Sequence, residues 1–194
     1  MIRHTLPRTA ALTLVTLGLV CACAPAAREG IPDPLTATLT GLQQRHAAHA
    51  VGIVRGYHFF SGPAALTRFR NSPVSLIPLS PDLEAAVTRA HEEYLAGRRA
   101  PLTPQAIQER WALLDRYVGG IKQRGFGALI RVETTDAKEA EFNFIDVPAG
   151  RWLLVAAVDT PLSAAYWAVP VEVQAGQSHL QNLLETNIWL EGLK

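Results

Sequence analysis

The sequence predicts a mainly β chain: an antiparallel β-sandwich of about seven strands with a two-helix insert. Two patterns predict it. Short runs rich in Val, Ile, Leu and aromatic residues recur along the chain, several apolar at alternate positions, with Gly, Pro, Ser or Asn between them. Between about residues 80 and 120 the apolar period lengthens to three and four, and helix start and stop residues bracket it twice.

The N-terminus reads as an address. Arg3 and Arg8 precede an apolar run over residues 10–20 (AALTLVTLGLV), the length of a signal h-region and too short to span a bilayer. Val20-Cys21-Ala22-Cys23 resembles a bacterial lipobox. That resemblance implies a signal peptide over residues 1–22, cleavage before Cys23 and lipidation there, with a thiolate as the acylated nucleophile. Cys21 is the rival position, less suited because Val20 would stand at −1. Ordinary cleavage after Ala24-Pro25-Ala26 is the other alternative. Ala24 resembles the outer-membrane sorting signal, so the expected location is the cell envelope, lipid-anchored, at the outer membrane facing the periplasm or the cell surface. Cys21 and Cys23 are the only cysteines, so the processed body has neither disulfide nor thiolate metal site.

Residues 23–34, small and Pro-rich, read as a flexible tether. Over 35–50, Leu35, Leu39, Leu42, His46 and His49 share one helical face. The domain proper is expected over 51–194. Its strands are placed at 51–60, 64–70 and 73–79, the last with Pro at edge positions. Ser80-Pro81-Asp82 then starts a helix, with Leu83, Val87, Ala90 and Tyr94 as its stripe and Gly97 as its stop. Thr103-Pro104 starts a second, with Ile107, Trp111, Leu114 and Val118 as its stripe and Gly119-Gly120 as its stop. Further strands are expected at 126–133, 141–145, 151–158, 166–173 and 183–190. Phe142 and Phe144 point in, and Glu141 and Asn143 point out.

The run Phe142-Asn-Phe144-Ile-Asp-Val147-Pro148-Ala-Gly150-Arg-Trp152-Leu-Leu154-Val-Ala156 resembles the core signature of carboxypeptidase regulatory-like domains, a transthyretin-like (prealbumin-like) sandwich. Val171-x-Val173-x-x-Gly176 resembles its next strand and turn. The family usually has Gly two residues before the first Phe, where this chain has Ala140. The resemblance implies a noncatalytic accessory, adhesive, structural or carbohydrate-binding role.

With 48% hydrophobic and 18% charged residues, the composition is that of a globular chain, and a net charge of +1 gives no footprint for nucleic acid. No phosphate-cradling loop, dinucleotide fingerprint or nucleophile elbow occurs. His46 and His49 lack an evident third metal ligand, and Glu92-Glu93, Glu139-Glu141 and the Arg98-Arg99 pair read as solvated charge. No catalytic residue, metal or cofactor is therefore expected. The aromatic residues are the better lead. There are four tryptophans. Trp111 and Trp152 fall on buried stripes. Adjacent Tyr166 and Trp167 must face opposite sides of a strand. Tyr166, Trp167 and Trp189 are the candidate ligand contacts. The expected function is a membrane-anchored envelope lipoprotein acting as a noncatalytic binding or assembly module, partnered by envelope proteins or polysaccharide. A carbohydrate-binding module is the alternative, as is a periplasmic hydrolase with an unrecognised site, for example His58 near Glu92.

Overall fold

The computed structural model describes residues 33–61, 66–97, 100–159 and 163–193. Cys21, Cys23, the leader, the tether up to Pro32, the Gly62-Pro63 turn and Arg98-Arg99 lie outside the described residues. Among those described, no helix is long and apolar enough to cross a membrane.

The chain is mostly strand. Its helices are α1 (Pro34–Ala47), α2 (Pro81–Ala96) and α3 (Pro104–Gln123). The strands are β1 (Val51–Tyr57), β2 (Phe59–Ser61), β3 (Leu66–Arg68), β4 (Pro73–Pro78), β5 (Arg131–Thr134), β6 (Glu141–Pro148), β7 (Gly150–Asp159), β8 (Ser163–Val173), β9 (Ser178–Leu180) and β10 (Leu190–Leu193). Among the described residues these ten, rather than about seven, form a five-stranded sheet of order β10-β8-β7-β4-β5, a three-stranded sheet of order β6-β1-β9, and the β2-β3 ribbon.

The middle of the five-stranded sheet is buried on both faces, and the alternation of its strands sorts side chains between two cores. Trp152, Leu154 and Ala156 of β7 join Trp167, Val171 and Val173 of β8 against Val54 of β1 and Phe142, Phe144 and Val147 of β6. Leu153 and Val155 point the other way, onto Leu83, Val87 and Tyr94 of α2 and Ile107 and Leu114 of α3. A strand with a core on each side needs apolar residues at successive positions, which is why β7 reads RWLLVAAV instead of alternating. Complete burial of a Trp or Leu side chain contributes about 1.5–3 kcal/mol.

The helix starts follow the sequence. Asp33, Ser80 and Thr103 each accept a hydrogen bond from a first-turn N–H, and each is followed by Pro. The Asp33 carboxyl is held below its usual range by the Thr36 hydroxyl and N–H, with Arg124 adding to the effect.

Four expectations are corrected. Gly119-Gly120 does not stop α3. The helix continues to a terminus where Phe126 N–H bonds the Ile121 carbonyl (3.1 Å), Gly125 N–H bonds that of Lys122 (3.0 Å), and Gly125 takes φ +82°. A strand over 126–133 is thereby shortened to β5, preceded by the 3-10 turn Gly127–Leu129. Residues 183–190 hold only an isolated bridge at Leu183 and a 3-10 turn at Glu185–Asn187, with β10 beginning at Leu190. β4 carries its prolines at its two ends, as the sequence suggests. It lies between β7 and β5, and a missing N–H at either end leaves the ladder intact. The pairing is not wholly antiparallel, because β1 runs parallel to β9.

That parallel pair depends on Gly56. A Cβ there would lie 1.8 Å from the Gln181 carbonyl oxygen and 2.8 Å from the Phe142 ring. Gly56→Ala is expected to lower unfolding stability by about 2–3 kcal/mol, read by denaturant titration. Wild-type stability in this variant would mean that the β1–β9 approach is looser than described.

Candidate functional site

Tyr166 and Trp167 face opposite sides of β8, and their fates differ. Trp167 is fully buried between the sheets, with its indole N–H donating to the Leu184 carbonyl at 2.8 Å. Trp189 is 3% exposed and donates to the Val87 carbonyl at 3.0 Å. Both are core side chains, so they are withdrawn as ligand contacts. Trp167 is taken up by the core between the sheets and Trp189 by the second core beneath α2 and α3, and the sequence pattern does not distinguish either layer from solvent.

Tyr166 is half-buried on the helix-covered face, where it meets half-buried Trp111 of α3. Their ring centroids lie 5.2 Å apart and the planes are inclined by 55°. This pair lines an open groove of about 620 Å³ between the first half of α3 and the ends of β7 and β8. Positions 104, 108, 111 and 115 recur at helical spacing along one wall. Opposite them stand Ala157, Asp159, Ala164 and Tyr166. The small alanines, which pair Ala157 with Tyr166 and Ala164 with Asp159 in the β7–β8 ladder, leave the space open. Gln108, Asp115 and Asp159 are exposed and bring polar groups to the rim. Burial raises the Tyr166 phenol above its usual range, and the nearby Asp159 carboxylate adds to the shift. Chemically, the groove presents two aromatic rings and a ring of hydrogen-bonding oxygens. Ligand sites characteristically combine apolar walls with a few placed polar groups. Trp111 is legible in the sequence only as part of the helix stripe, and its partial exposure follows from its place on the wall of this open groove.

Among the described residues, the histidine and glutamate suggested as a hydrolase pair do not meet. His58 is fully buried against Phe69 (4.8 Å) and Trp167 (4.5 Å) between the sheets, whereas Glu92 is exposed on α2 in the other layer. The hydrolase pairing of these two residues is therefore not formed. His91 Nδ1 lies 2.9 Å from the Trp189 carbonyl oxygen. Glu93 pairs with Arg110 (3.1 Å) and Glu139 with Arg68 (3.0 Å). Among the described residues, no three His, Cys, Asp or Glu side chains gather to hold a metal.

No protein-family model matches the chain, and no curated relative matches it. Among solved structures, it is similar to the crystal structure of a "putative carbohydrate binding protein" from Pseudomonas aeruginosa, with 17% identity, coverage of 74% of this chain and 96% of that one, and a TM-score of 0.40. A likeness at this level carries no argument about ligand.

Proposed function

We propose that this chain is an envelope lipoprotein, tethered through lipid on Cys23, whose body is a noncatalytic module that binds a saccharide in the Trp111–Tyr166 groove. The observation that carries the reading is the half-exposed aromatic pair set in an open groove with Gln108, Asp115 and Asp159 around it. A pyranose has an apolar face of C–H groups and an equator of hydroxyls. The rings suit the former and the carboxylates and amide the latter.

The carboxypeptidase regulatory-like sandwich belongs to the same proposal. The shared core of the three- and five-stranded sheets supports it. So does Ala140, which sits at φ +61° where that family has Gly. A second reading, docking to an envelope protein, is favoured by a different face. Ile53, Tyr57, Ile145 and Leu180 are each 36% or more exposed on the three-stranded sheet.

The test is co-sedimentation of the full-length protein with insoluble envelope polysaccharide. Trp111→Ala is expected to weaken retention at least about tenfold, equivalent to ~1.4 kcal/mol. Metabolic palmitate labelling should be lost in Cys23→Ala. Retention unchanged by Trp111→Ala excludes the groove, and labelling unchanged by Cys23→Ala excludes the anchor.

A further inference from the structure

A second cavity, of about 480 Å³, opens between α1, the end of α3 and the β5–β6 edge. It is built by an irregularity in β6. Gly52 pairs with Val147 and Val54 with Phe144, so Ile53 of β1 faces two residues, Ile145 and Asp146. The extra residue puts Asp146 at φ +53°, a left-handed backbone that few side chains other than Asp and Asn tolerate. Without the bulge, simple alternation from Phe142 and Phe144 would send Asp146 into the core. With it, Val147 takes the buried place and the Asp146 carboxylate stands exposed at the cavity wall.

The same bulge places a cation. Arg131, from β5, donates through a guanidinium nitrogen to the Ile145 carbonyl, which holds it beside Asp146. Among the described residues the two charges form no ion pair with each other or with any third group. Gln43 and His46, one turn apart on α1, line the opposite wall, and the half-buried Phe126 supplies an apolar surface where Gly125 turns the chain.

We infer that this cavity binds a small zwitterion of the α-amino-acid class, its ammonium group on Asp146, its carboxylate on Arg131 and its side chain against Phe126. The unpaired opposite charges carry the choice. A neutral hydrogen-bonding ligand leaves both charges without a counter-charge, and a singly charged one leaves one of them so. The cavity is large enough for one medium-sized amino acid. It shares no lining residue with the saccharide groove.

The experiment is calorimetric titration of the full-length protein with L-leucine, alongside 3-methylbutylamine, 4-methylpentanoate and 4-methylpentanamide as cation-only, anion-only and neutral probes. Leucine is expected to bind at least about tenfold more tightly than each of the other three. Asp146→Asn keeps the shape and tolerates the left-handed backbone, and Arg131→Lys keeps the charge while changing the fork. The first should weaken leucine at least about tenfold and the second measurably, each with the wild-type melting temperature. Trp111→Ala should leave leucine binding unchanged, which separates this site from the groove. No detectable leucine binding, equal binding by 4-methylpentanamide, or wild-type affinity in Asp146→Asn would overturn the inference.

Discussion

Trp167→Ala is expected to destabilise the protein by about 3–5 kcal/mol, without acting on any ligand directly. The indole is fully buried, with the His58 ring edge-on at 4.5 Å and the Phe60 and Phe69 rings at 5.6 and 6.2 Å. Truncation removes the transfer free energy of the ring and leaves a cavity that fixed strands on both sides cannot close. It also orphans the Leu184 carbonyl, which now accepts the indole N–H at 2.8 Å. Such a loss is a large part of the stability of an ordinary domain. Denaturant unfolding of the purified variant measures it. A variant that unfolds like wild type but no longer binds saccharide would return Trp167 to the ligand site and refute the core assignment.

The second large effect is a pH dependence set by His58. The ring is fully buried, neither of its nitrogens has a hydrogen-bond partner among the described residues, and burial lowers its pKa from 6.5 to about 4. The folded state therefore holds a neutral imidazole. The unfolded chain takes up a proton as pH falls below about 6.5, and the folded state does not until about pH 4. Stability contributed by this group is complete above pH 6.5 and falls by about 1.4 kcal/mol per pH unit below it, about 3 kcal/mol in all by pH 4. His58→Phe removes the titration. Its unfolding free energy, compared with wild type at pH 7 and pH 4.5, should shift in the variant's favour by about 2–3 kcal/mol at the lower pH. Parallel curves for the two proteins across that window would show that His58 reaches solvent or a partner. Trp167→Ala, by opening space beside the ring, should flatten the same slope.

The predictions expose which parts of the sequence were readable. Helix starts were legible because they are local: Ser80-Pro81 and Thr103-Pro104 carry the hydroxyl acceptor and the preset φ within two residues. The inward phenylalanines of β6 were legible because one face of that strand is solvated. Less local features were not. The end of α3 is decided by Gly125 and two hydrogen bonds across its last turn, and glycines five and six residues earlier gave a false stop. The parallel β1–β9 pair joins residues far apart in the chain and leaves no pattern in either strand. Burial of Trp167 and Trp189 depends on which face of β8 and which side of α2 meet a second layer, and alternation shows only that two faces differ. Of the candidate contacts, Tyr166 alone reaches the groove. Its partner, Trp111, was visible in the sequence only as one more apolar residue on a helix. The bulge that turns Asp146 outward had a faint trace, since Phe142, Phe144 and Val147 break a spacing of two.

Saccharide binding through the Trp111–Tyr166 pair is most directly tested by calorimetric titration of wild type, Trp111→Ala and Tyr166→Ala with the soluble oligosaccharides released from the retained envelope polysaccharide. Saturable binding by wild type is expected, with affinity lower by at least about tenfold in both variants and their folds intact by thermal unfolding. Binding of equal strength in all three proteins, or no binding by wild type, would contradict it.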